Sequence, residues 1–308
     1  MHDSHDTQLP DRAGIRGAQW RKRLDGLVPE EVEMRHVVVV GCGSVGSFMS
    51  AELVRSGVRH ITLVDPDEVE WANLTRTVYG RADVGRKKVD ALGGQLQAIF
   101  PDVEVRAVAS PIQQMGGDIR ALLHSADLVV AAVDQPSANG FIDRHCYAAG
   151  RPALFVGIYK GAKGGEVVVT VPERTPCFQC STGGVRKVVD DTGVKNVARS
   201  DRDYGTNRLL AEVALGSDIH FVCSAATKIA LSLLAAKSEV RPLAEFMGRQ
   251  LDEGGNFLML GMEPDYFLFP STHEAAVGQY AFQSIWARTT RNIECVVCGA
   301  AEHREPPV

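Results

Sequence analysis

The feature that most constrains the fold is a run of five apolar or half-apolar residues, His36 to Val40, that stops abruptly at Gly41-Cys42-Gly43-Ser44-Val45-Gly46. A short apolar run halted by glycine suits a strand buried on both faces, as in a parallel sheet. Parallel neighbours need a crossover, and the stretch from about Ser44 to Ser56 has helical composition. A second apolar run, His60 to Val64, follows Gly57 and ends on Asp65. The alternation continues with a helical stretch over 85–99 and a strand over 103–108. Next come a strand over 126–133 leading to Asp134, a helix over 137–149, and strands over 152–159 and 165–171. Such βαβ periodicity predicts a doubly wound α/β fold, a mostly parallel sheet with helices on both faces.

The rest of the chain is less regular. Residues 181–218 are polar and glycine-punctuated without a clear period, which reads as a long surface crossing. Phe221 to Lys237 returns to a helical pattern, and 239–292 reads as strands and loops, with 256–260 and 266–269 as candidate strands. Residues 1–30 read as a basic N-terminal arm ahead of the first strand. The 308 residues, 45% apolar, are enough for a proper core. A net charge of −5 gives no electrostatic reason to expect nucleic acid. The N-terminus lacks the pattern of a signal peptide, and no apolar stretch reaches the roughly 18 residues of a membrane helix, so no membrane partner and a cytoplasmic location are expected. Seven cysteines, four of them in two Cys-x-x-Cys pairs, suit a reducing compartment and a metal better than disulfides.

Glycines at 41, 43 and 46 between a strand and a helix let the backbone turn and approach a phosphate, with Ser44 opening a helix N-terminus that offers unpaired N–H groups. Asp65 ends the next strand, where an acid commonly binds ribose hydroxyls, though such an aspartate can also be a simple surface-end residue. Asp67 either touches the ligand or orients its neighbours. Asn73, Arg76, Lys88 and the lone acid Asp134 are not what hydride transfer from a nicotinamide asks for. They are what attack on a phosphate needs, namely cations on its oxygens and a carboxylate for magnesium. The set favours ATP with Mg²⁺ over NAD. Cys177-Phe178-Gln179-Cys180 and Cys295-Val296-Val297-Cys298 can form one closed, structural Cys₄ zinc site; a redox pair and fortuitous spacing are the alternatives.

In order and spacing, Val39 to Ser47, Leu63 to Val69, Asn73-Leu74-Thr75-Arg76, Val84 to Val89, Val133-Asp134 and both cysteine pairs resemble the motifs of the ThiF/MoeB/HesA adenylyltransferases, relatives of ubiquitin-activating enzymes. The likeness covers about residues 35 to 180, returns over Phe221 to Leu234 and at the last cysteine pair, and is poor between. It implies a single Rossmann-like adenylation domain over 31–308, with a crossover segment at 181–220 and an extended C-terminal region at 239–292. It also implies Asp65 on ribose, Asn73, Arg76 and Lys88 on the phosphates, Asp134 on magnesium, zinc at the four cysteines, and a homodimer. The substrate it implies is a carboxylate, the C-terminus of a small ubiquitin-like or sulfur-carrier protein or of a peptide, converted to an acyl-adenylate. Family members can send an N-terminal arginine to the other copy's ATP; Arg12 or Arg16 stands at that distance upstream, and a solvated tether is the other reading.

The departures bear on function. The crossing segment contains no cysteine, which speaks against a thioester step. Cys223 is read as opening a helix, either as a small core residue or as a thiol whose pKa the helix N-terminus lowers. Cys42 and Cys146 read as packed. The family's glutamine after the phosphate arginine is Thr77, and the arginine usual beyond the magnesium aspartate is Asn139. None of the histidines is assigned a role. Two rivals stand beside the adenylation reading: a nicotinamide-dependent oxidoreductase and a non-catalytic subunit that pairs with an active relative.

Overall fold

The computed structural model describes residues 19–183, 213–263 and 281–306. Among them, strands β1 (His36–Val40), β2 (His60–Val64), β3 (Glu104–Val108), β4 (Leu128–Ala131), β5 (Ala153–Ile158), β6 (Gly164–Thr170), β7 (Gly255–Gly261) and β8 (Gln283–Arg288) form one sheet in the order β3-β2-β1-β4-β5-β6-β7-β8. Pairing is parallel from β3 through β5 and antiparallel from β5 through β8. This is the doubly wound, Rossmann-like, mostly parallel sheet expected from the sequence. The strand order reverses between β1 and β4, and the crevice at such a switch point is where open α/β sheets bind ligands.

Helices α1 (Ser44–Arg55), α2 (Lys88–Ile99), α3 (Asp118–Ser125), α4 (Pro136–Ala148), α5 (Gly216–Leu234) and α6 (Arg241–Asp252) cover both faces. Alternation along the central strand divides the core. Val37 and Val39 meet the α1, α2, α5 and α6 side, while Val38 and Val40 meet the α3 and α4 side. All four are fully or nearly fully buried, so neither face of β1 meets water. The edge strand β3 carries charged Glu104 and exposed Arg106, which discourage further pairing.

Several expectations are corrected. Helix α2 begins at Lys88 rather than near Gly85, because Gly85 has φ +85° and 85–88 instead pairs back onto 67–69. Within 239–292 the stretch 241–252 is a helix, not strand and loop; Pro242 sits in its first turn, where its missing N–H costs nothing. Helix α5 starts at Gly216, inside the expected crossing. It is also long and apolar enough by composition to span a membrane, contrary to the sequence reading, but Ile219, Val222, Ala226 and Ile229 bury it in the core. Part of the arm is not a tether. Trp20 packs edge-on against Phe100 at 4.9 Å between centroids, Arg59 lies 3.5 Å over the Phe100 ring, and Val28 and Val32 join the core. Trp286, at strand spacing in the tail, packs partly buried against that same core. Candidate strand 266–269, most of the crossing, and Arg12 and Arg16 lie outside the described residues.

Candidate nucleotide site and cysteine cluster

The C-terminal ends of β1, β2 and β4 meet at the glycine loop. Gly41 has φ +92°, and a Cβ there would collide with the Ala132 carbonyl just past β4. A Cβ at Gly46 would sit on the Gly41 carbonyl oxygen. Gly43 differs: it caps α1, and a Cβ there would meet no protein atom within 4 Å beyond its chain neighbours. Ser44 is the first residue of α1 and half-buried.

Asp65 is buried, and both of its oxygens are used. Oδ2 accepts the Cys42 N–H at 2.7 Å and Oδ1 accepts the Asp67 N–H at 2.8 Å, joining the glycine loop to the turn after β2. Lys88 donates through Nζ to Asp67 Oδ2 at 2.8 Å and through its backbone N–H to the Asp67 carbonyl at 2.9 Å. The lysine side chain is only 12% exposed while Asp67 is largely open, so Lys88 reaches this edge from underneath. Asp83 is buried and accepts from Gly80 N–H, Arg86 and Gln95, fixing the turn that leads to α2.

Asn73 lies in the middle of the 3₁₀ turn Trp71–Thr75 and Arg76 just past its end. The Asn73 amide oxygen accepts the Glu70 N–H at 2.9 Å, which holds its side chain against its own turn. Helix α5 presses on this segment: a Cβ at Gly216 would lie 3.2 Å from the Thr75 carbonyl and 3.4 Å from Arg76 Cα. His220, one turn on, stacks on Phe48 of α1 at 4.1 Å between centroids. Asp134 is exposed two residues beyond Ala132, on the same sheet edge as Gly41. Asn139 donates to the Val133 carbonyl at 3.2 Å and so braces the loop bearing Asp134.

Far along the chain, Cys177, Cys180, Cys295 and Cys298 bring their four sulfurs within 4.8 Å of one another. Cys177 and Cys295 are 3.7 Å apart, Cys180 and Cys298 3.6 Å. Ligands at about 2.3 Å around a tetrahedral zinc would be separated by about 3.8 Å, so the spacing fits that ion. Cys177 precedes helical residues 178–183, a helix-start setting that the sequence did not reveal. Buried Asp143 of α4 accepts the Phe178 and Gln179 N–H groups at 3.0 and 3.3 Å and pins that turn; burial pushes its carboxyl up to about 6. Hydrogen bonds from Cys177 and its neighbours pull the Cys298 thiol below its ordinary range, while burial pushes Cys180 up.

The remaining cysteines are packed. Cys223 lies two turns inside α5 rather than at its start, and burial pushes its thiol up to about 12, which removes the low-pKa reading. Burial also raises the Cys42 and Cys146 thiols. None of the seven forms a disulfide.

A switch-point crevice with a glycine loop, a buried strand-end acid and a lysine at a helix start defines a doubly wound α/β protein with a candidate ligand site at its strand ends. More narrowly, the chain belongs to the ThiF family, which matches residues 23–258. It is 30% identical over 164 residues to a ubiquitin-like modifier-activating enzyme 5 of Oryza sativa, covering 49% of this chain and 39% of that protein. It is also 30% identical over 152 residues to the molybdopterin-synthase adenylyltransferase of Escherichia coli, covering 49% of this chain and 60% of the relative. An uncharacterized protein y4oA of Sinorhizobium fredii is 31% identical over 167 residues, 28% of its own length. The likeness thus spans about half of this chain and from under a third to three fifths of these relatives. A crystal structure of E. coli MccB with ATP shares the fold, with TM-score 0.59 at 20% identity, covering 87% of this chain and 68% of that one.

Proposed function

We propose that this protein binds MgATP at the β1–β4 crevice and adenylates a carboxylate, releasing pyrophosphate. The observation that carries the reading is convergence: the glycine loop, Asp65, Asp67, Lys88 and the loop bearing Asp134 all meet at one sheet edge. In this reading Gly41, Gly43, Ser44 and Gly46 shape the phosphate cradle, and the open space ahead of Gly43 is where a phosphate oxygen fits. Asp65 holds ribose, and Asp67 orients Lys88. Asn73, Arg76 and Lys88 address the phosphates, and Asp134 would hold a magnesium ion, whose positive charge would offset that of the leaving pyrophosphate. A carboxylate oxygen of the substrate attacks the α-phosphorus as the bond to pyrophosphate breaks, giving an acyl-adenylate. No general base is required, because the nucleophile is already ionised. Charge neutralisation and alignment supply the acceleration.

The substrate that family membership favours is the C-terminus of a small ubiquitin-like or sulfur-carrier protein, or of a peptide. A homodimer in which Arg16 serves the other copy's nucleotide, a cytoplasmic setting, and one zinc held by Cys177, Cys180, Cys295 and Cys298 complete the reading. Thermal-shift measurements with MgATP, NAD and NADH on wild type, Asp134→Asn and Lys88→Ala provide the test, since a ligand bound only by the folded state raises its melting temperature. Selective stabilisation by MgATP, weakened in both variants, is expected. Stabilisation by NAD or NADH alone would replace this reading with an oxidoreductase, and no response to any nucleotide would favour a non-catalytic subunit.

A further inference from the structure

A chain of hydrogen bonds runs through the groups around the crevice. Asp65 binds the N–H groups of Cys42 and Asp67, and the Asp67 carbonyl takes the Lys88 N–H. Between Lys88 and the glycine loop stands Tyr79, whose one hydroxyl proton goes to Cys42, with the Lys88 carbonyl as the longer, secondary acceptor. Its hydroxyl donates to the Cys42 carbonyl at 2.6 Å and lies 3.3 Å from the Lys88 carbonyl. Tyr79 is 4% exposed, with its ring in the core beneath the loop. Phenylalanine would fill that space equally well, so the core alone does not explain the hydroxyl. Burial also raises the phenol pKa, which keeps the hydroxyl a donor throughout the physiological range.

We propose that Tyr79 is a positioning residue: its hydroxyl fixes the glycine loop against the first turn of α2 and thereby sets the distance between the phosphate cradle and Lys88. This rests on the nucleotide reading above. Tyr79 does not touch the ligand. It acts through the Cys42 and Lys88 carbonyls, and its effect falls on the phosphate end of the ligand rather than on the ribose end held by Asp65. A hydrogen bond of this kind, lost between two parts that must be held in register, is expected to weaken binding about tenfold.

The test compares MgATP and adenosine binding by wild type and Tyr79→Phe by calorimetric titration, with the melting temperature of each protein measured alongside. The expected result is a melting temperature within a few degrees of wild type, about tenfold weaker MgATP binding, and adenosine binding changed less than about twofold. Unchanged MgATP affinity in Tyr79→Phe would overturn the proposal. So would equal losses for both ligands, or a variant that melts far below wild type or fails to fold, because Tyr79 would then be a packing residue. Failure of wild type itself to bind MgATP would instead overturn the nucleotide reading, a result distinguishable because it appears before any variant is made.

Discussion

Three glycines within six residues answer to three different demands. Gly46 is required by the fold, since any side chain would drive into the Gly41 carbonyl, and Gly41 by its positive φ and the nearby Ala132 carbonyl. Gly43 is required by neither, and in the nucleotide reading proposed above phosphate space is its reason. Gly46→Ala is therefore expected to destabilise the protein by roughly 3 kcal/mol or more, measured by chemical denaturation. Gly43→Ala should fold as wild type yet bind MgATP at least about tenfold more weakly, because the added methyl occupies phosphate space. If Gly43→Ala binds nucleotide normally, the cradle does not lie there. The glycines, Asp65 and the cysteines could be read from the sequence because their chemistry lies in residue type and spacing. Tyr79, Asp143 and His220 could not: each acts through a contact between segments that no local pattern encodes.

Elements were legible in proportion to how locally they are determined. The apolar runs of β1, β2 and β4 are bounded by glycine or acid and came out within a residue or two of their positions. The start of α2 was misplaced because the pairing of 85–88 with 67–69 is a tertiary fact, and that pairing is what brings Lys88 to Asp67. Helix α6 hid behind Pro242 and a weakly apolar composition, although Met247 and Leu251 mark its buried side. Helix α5 does more than fill the core, because its first turn lies against the Arg76 segment at Gly216 and His220 stacks on Phe48 of α1. Burial lowers the His220 pKa below its ordinary 6.5. The unfolded chain therefore takes up this proton before the folded one does. The stability His220 contributes is present in full above about pH 6.5 and is lost as pH falls through and below that value. His220→Gln should accordingly lose less melting temperature than wild type between pH 7.5 and 5.5; parallel curves would remove the residue from the acid response.

At the scale of the whole molecule, the sheet carries its ligand crevice at one end of the parallel half, and the cysteine cluster ties the antiparallel half to the tail. The link joins residues 118 apart in sequence, Cys177 to Cys295 and Cys180 to Cys298. One zinc per chain is expected by elemental analysis. Its removal by a strong chelator should lower the melting temperature by several degrees, since metal affinity is folding free energy here. A metal-free protein that melts unchanged would leave the four thiols a packed cluster and nothing more. The docking of Trp20 against Phe100 and Arg59 was invisible in the sequence for the same reason as the cluster's geometry: its partners are far away along the chain. The tail's position also sets an order of manufacture. A chain emerging N-terminus first can pair β1 through β5 early. The fully buried residues of β7 must wait for β8, and Cys177 and Cys180 for residues 295–298. Until then the nascent protein carries an uncovered apolar strand edge and two waiting thiols, so its most vulnerable interval runs from the synthesis of β7 to that of residues 295–298.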